Sequence, residues 1–295
     1  MAHPAAKLLT GFFVVAVLLV VATLVLTQGQ LPPPSPPIPE PNGYDDLVSA
    51  GGMVADKTGD FFTMSEGDLR ALVMKNSEAV KLAKTGLTHE CQVPLDFSAP
   101  NPSYFTNLAV VKRLAQAITA EGRLAEFENR PADAAEAYLT VIRLGHAISR
   151  GGLLIDSLVS VAIDAIGVAN MEKLAPKLDA KQCREAAAVI ESCEGQREPA
   201  QAVLVRERAW GRRVFGLKGQ LARLVNFKSM KQSEQKVVAR LSAQQNREQV
   251  LLIQLASRAY ELEKGERPKI LGNLVPEYLK AIPQNPVTGT NMAYP

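Results

Sequence analysis

Residues 153–174, LLIDSLVSVAIDAIGVANMEKL, form the stretch whose reading decides the fold. It is long and apolar enough to cross a bilayer, but Asp156 and Asp164 interrupt it with only seven residues between them. Charge at bilayer depth is costly, so the stretch is expected to be the central helix of a packed domain and not a membrane span. Arg150-Gly151-Gly152 resets the chain before it. Upstream, Ser103–Glu128 places Leu108, Val111, Leu114, Ala115, Ile118 and Leu124 on one helical face. Asn129-Arg130 breaks that helix, and Pro131 suits the first turn of the next, Ala132–Ser149. No stretch shows convincing period-two alternation, so the expected class is all-α.

The flanks read the same way. A short helix is expected from about Tyr44. Another follows Ser65, which can cap, and runs to about Lys84. Gly86–Pro102, with three prolines, is expected to be a loop carrying His89 and Cys91. Asp179 caps a helix from Ala180 to about Cys193, and Asn246–Lys264 is expected to be the last. Aromatic residues make up 5% of the chain and Ala, Leu and Val abound, which suits helices packing through small side chains. A net charge of +3 singles out no class of partner. Cys91, Cys183 and Cys193 are too few for a disulfide framework. Cys183 and Cys193 would lie about 15 Å apart on one helix, so buried free thiols are expected.

Outside this domain, Leu8–Leu26 is a run of 19 uncharged residues. As a helix it spans about 28 Å, the thickness of a hydrocarbon core. It is longer than a secretory signal's apolar region and no Ala-x-Ala site follows, so a retained anchor is expected. Lys7 precedes it and the first later cation is Lys57, which puts the amino terminus in the cytoplasm and the remainder outside. Seven of the ten residues from Pro32 to Pro41 are proline, which makes a stiff polyproline spacer. The expected organisation is a leader (1–7), a transmembrane anchor (8–26), a Pro-rich spacer (27–43), a helical ectodomain (44–264) and a tail (265–295). The corresponding location is the inner, or cytoplasmic, membrane.

Two resemblances add to this. Gly122-Arg-Leu-Ala125, Asn129-Arg-Pro-Ala-Asp-Ala134, Tyr138 and Val141 resemble one tetratricopeptide hairpin, with Ala125 in place of the first-helix aromatic. A shift of 34 residues from Gly122 finds no second copy, so no repeat array is implied. The tail, with Gly265, Pro268, Leu271, Leu274, Pro276-Glu-Tyr278-Leu279, Pro283-Gln-Asn-Pro286 and Gly289, resembles the stretch after the long helix of type II secretion pseudopilins. It is also similar to the ends of membrane-anchored helical proteins of planctomycete-type bacteria. Its leucines and Tyr278 are expected to fold back on the preceding helix. Arg267 and Asn285 depart from the pseudopilin pattern, so no calcium site is carried over. Lys7, Gly11 and Phe12 have the look of a prepilin cleavage site, but Ala16 stands where that family has its glutamate.

Catalytic motifs are missing: there is no G-x-S-x-G, G-x-G-x-x-G, P-loop, C-x-x-C or H-E-x-x-H. His89-Glu90-Cys91 gathers three possible ligands, but adjacent residues rarely converge on one metal. Asp156 and Asp164 fall about 80° apart around their helix and are expected to pair with Arg143 or Arg150. From Val205 to Arg240, ten Lys/Arg face only Glu207 and Glu234, which reads as a solvated face with anionic-surface contact as the alternative. Sparse aromatics there argue against nucleic acid. The sequence therefore assigns no catalytic, cofactor or metal residue, and no enzyme activity. It implies a membrane-anchored interaction or scaffold protein of the cell envelope, contacting the bilayer and envelope proteins. The alternative is a subunit of a secretion or pseudopilus-like assembly.

Overall fold

The computed structural model describes residues 15–21, 37–55, 61, 63–97 and 103–293, by backbone alone at 217–225 and 227. The chain divides into two units, 1–36 and 37–295. In the first, residues 15–21 are helical, and Val15, Leu18 and Leu19 expose their side chains. The rest of the expected anchor, and the spacer up to Pro36, lie outside the described residues.

The second unit is all-helical, and among its described residues no strand is present beyond an isolated bridge between Gln284 and Asn291. Its helices are α1 (Gly43–Met53), α2 (Glu66–Gly86), α3 (Tyr104–Phe127), α4 (Pro131–Ala147), α5 (Leu154–Leu174), α6 (Ala180–Gly195), α7 (Ala200–Val225) and α8 (Phe227–Lys264). The capping chemistry follows the sequence. Asn42, Ser65 and Asp179 each accept a backbone N–H at the start of a helix, and Gly265 ends α8 at φ 78°.

The α3–α4 hairpin turns at Asn129, whose φ of 55° lies in the left-handed region. Across it, a Cβ on Gly122 would sit 2.5 Å from the Tyr138 ring, so only glycine admits that fully buried ring. Gly167 plays the same part between α4 and α5, where a Cβ would meet Ile142 at 2.6 Å. Close approach makes α4 and α5 the hub of two apolar cores. One joins them to α1, α2 and α3 around Leu114, Ile118 and Leu144; the other joins them to α6, α8 and the tail around Met171, Ile190 and Leu255.

Leu154–Lys177 is the one helical stretch among the described residues long and apolar enough to cross a membrane. Here it lies inside the compact unit, with Ile163, Val168 and Met171 fully covered, so it is the central core helix. The tail folds back as its spacing suggests: Leu271, Leu274, Tyr278 and Leu279 are buried against α6 and α8. The Tyr278 hydroxyl donates to Glu263 at 2.7 Å.

One boundary departs from the expectation. The last helix begins at Phe227, not Asn246, because nothing between them breaks a helix; the basic segment is thus divided between α7 and α8 at Asn226. Within α7, Gly216 is non-helical at φ 53°.

Candidate functional site

The hub helices also carry charge. α4 supplies His146, α5 supplies Asp164, α8 supplies Gln244 and Glu248, and the end of α6 with the following link supplies Glu194 and Arg197. Apart from Arg197, which lies in the link, each charged residue falls on an otherwise apolar helical stripe. Glu248 is in register with Leu251, Leu252, Leu255 and Ala259, and Asp164 with Gly167, Val168 and Met171.

Donor atoms of His146, Asp164 and Glu248, all three buried, lie within 4.8 Å of one another. Such a trio is a possible cation site, but a cationic side chain already reaches into it. Arg197 Nη2 donates to Glu248 Oε1 at 2.5 Å and lies 3.0 Å from His146 Nε2 and 4.0 Å from Asp164. Its Nε donates to Glu194 at 2.6 Å. A divalent ion would require the guanidinium to withdraw.

Protons are shared unevenly. Burial, and the adjacent Glu248 carboxylate, raise Asp164 well above the ordinary carboxylate range. Burial also opposes charge on Glu248, but hydrogen bonds from Asp164 and His146 and the charge of Arg197 prevail and hold it at about 2. The pair therefore favours one shared proton, held on the Asp164 side, with Glu248 ionised beside Arg197. Glu194 is raised, by burial first. His146 Nε2 lies 2.9 Å from Glu248 Oε2, and it is with the proton on Nε2 that the ring donates this bond.

Two hollows flank this network, and His146, Arg150 and Gln196 line both. The larger, a cleft of 740 Å³, opens between the loop 87–91, α4 and α6. Arg143, Arg150 and Glu90 line it together with Leu87, Ala147 and Val189. The smaller, of 420 Å³, lies beside Arg197, Ser157 and Ser160. Cys91 and Cys193 also line the cleft, and burial pushes these thiols up to about 11 and about 12, so neither is a thiolate nucleophile at neutral pH.

Of the residues weighed from sequence, His89 and Cys91 lie in the expected loop, while the two aspartates are placed differently from expectation. His89 Nδ1 lies 3.3 Å from Asp46 while Cys91 is buried, and neither belongs to the clustered trio. Asp156 does not join Asp164. It sits in the first turn of α5, where its Oδ2 accepts from Leu153 N–H at 2.6 Å and from the Tyr104 hydroxyl. Neither aspartate forms the expected pair with Arg143 or Arg150. Arg143 binds Glu136 and Arg150 binds Gln196, because both arginines reach outward while both aspartates face the core. Arg197 and Glu248 escaped the sequence reading, although a glutamate on the apolar stripe of α8 was a legible sign. Comparison with protein-family models, with curated proteins and with solved structures returns no match.

Proposed function

We propose that this protein is a membrane-anchored helical interaction protein of the cell envelope, and that the 740 Å³ cleft is its partner-binding face. The observation that carries the reading is the make-up of that cleft: two guanidiniums, Arg143 and Arg150, against one carboxylate, Glu90, on a wall that is part apolar (Leu87, Ala147, Val189) and part polar. Among the described residues, Arg150 is met by the neutral Gln196 amide and not by a carboxylate, and Arg143 is held by an exposed contact to Glu136. Such a surface fits an acidic segment of another envelope protein, with charge giving register and the apolar wall giving area. The tetratricopeptide-like hairpin of α3 and α4 supports the same role, since α4 forms one side of the cleft. The apolar run 8–26 would hold the domain at the inner membrane, amino terminus in the cytoplasm, and no turnover is assigned.

A photo-reactive residue placed at Val189 in intact cells tests this. The expected result is a discrete envelope protein joined at Val189 and not at exposed Lys181 on the same helix, and lost in Arg143→Glu/Arg150→Glu. Equal labelling at both positions overturns it.

A further inference from the structure

We propose that the basic arm formed by α7 and the first half of α8 docks on an anionic bilayer surface. Between residues 211 and 242 the chain carries eight Lys/Arg and a single acid, Glu234. Arg208 takes that acid at 2.6 Å. Arg213, Lys228, Lys231, Lys236 and Arg240 are all exposed, and none has a carboxylate partner among the described residues. Within this field of charge lies a 300 Å³ groove between the two helices, whose apolar lining is Trp210, Phe215, Met230 and Val237 and whose acids are Glu207 and Glu234. Phe215 leaves 54% of its surface open and packs edge-on against Trp210 at 5.7 Å. The indole N–H donates to Asp96 O at 2.8 Å, which ties the base of the arm to the loop before α3.

Cations surrounding the exposed Phe215 ring and Met230 match the interface of a bilayer, where phosphates meet the first acyl carbons. A soluble polyanion would use the charges but would leave Phe215 and Met230 in water. Nucleic acid would call for several rings arranged to stack, and among the described residues this arm exposes only Phe215. The inference rests on the anchored reading only in that an anchor would keep the arm close to a membrane.

Trp210 is the sole tryptophan of the chain, so its emission reports on this arm alone. Full-length protein is mixed with vesicles of brominated phosphatidylcholine, with or without phosphatidylglycerol. Flotation with the neutral vesicles reads the anchor; quenching of Trp210 reads the arm. The expected result is quenching only with phosphatidylglycerol, lost at high salt, with the ratio of docked to free arm falling about fivefold per cation neutralised in Lys228→Gln and Lys231→Gln. These two positions are exposed, and an unchanged helical circular dichroism spectrum shows that the variants fold. Quenching that is equal in both vesicles, absent from both, or indifferent to the variants overturns the proposal. So does an emission change with an oligonucleotide and none with anionic vesicles. Failure to float with neutral vesicles, with phosphatidylglycerol-dependent quenching intact, rejects the anchor and leaves the arm standing.

Discussion

Arg197 shows how one side chain holds several helices. It lies between Glu194, Glu248, Asp164 and His146, which come from four different helices. Removing it strands carboxylates away from water, so Arg197→Met should cost about 3–5 kcal/mol in urea unfolding. Adding Glu248→Leu should restore part of that loss, because an apolar pair of similar volume no longer buries an unmatched charge. Asp156 gives a prediction of a different kind. Burial raises it to about 6, against the hydrogen bonds from Tyr104 and Leu153, while its ordinary value is 3.8. The folded state thus binds the proton more tightly, so this group's stabilising contribution is complete below about pH 4 and lost as pH rises through about 6. The change is about 3 kcal/mol. Asp156→Asn keeps an oxygen for both donors and replaces Oδ1, which has no partner. The gap between its unfolding free energy and that of the parent should widen in its favour between pH 4 and 6, and a constant gap would remove this account.

Among the elements, the α3–α4 hairpin was the most legible in sequence, because its break, its proline and its small residues are all local signals. Gly122→Ala tests the contact they make. A methyl 2.5 Å from the Tyr138 ring must displace a fully buried side chain, with an expected loss of about 1–3 kcal/mol in thermal unfolding. Asn129→Gly should be neutral or slightly stabilising at φ 55°. The start of α8 was the least legible. Residues 227–245 have neither a cap nor a breaker to mark a beginning, and the run of cations from Val205 to Arg240 reads as one segment although the backbone divides it at Asn226. The polar network stayed hidden for a related reason. Its members lie 102 residues apart in the His146–Glu248 pair, and only tertiary packing brings them together. What the sequence did offer was each helical charge on its own apolar stripe, without its partner.

At the scale of the molecule, the two cores meet along α4 and α5, so neither half is closed without that pair. The tail closes the second core from outside. Leu271, Leu274, Tyr278 and Leu279 each contribute about 1.5–3 kcal/mol by burial, against a typical total stability of about 5–15 kcal/mol. A chain ending at Lys264 should therefore lose its cooperative urea transition, although nearly all its helices remain encoded; a transition of unchanged midpoint would make the tail dispensable. The three thiols divide between these cores, with Cys91 in the first and Cys183 and Cys193 in the second. Cys183 is fully covered and Cys91 is 3% exposed at the edge of the cleft, so each reacts freely only when its own half opens. Alkylation under native conditions consequently acts as a pair of clocks: if Cys91 and Cys183 are modified at one common rate, the halves breathe together, and if the rates part, the molecule opens one room at a time.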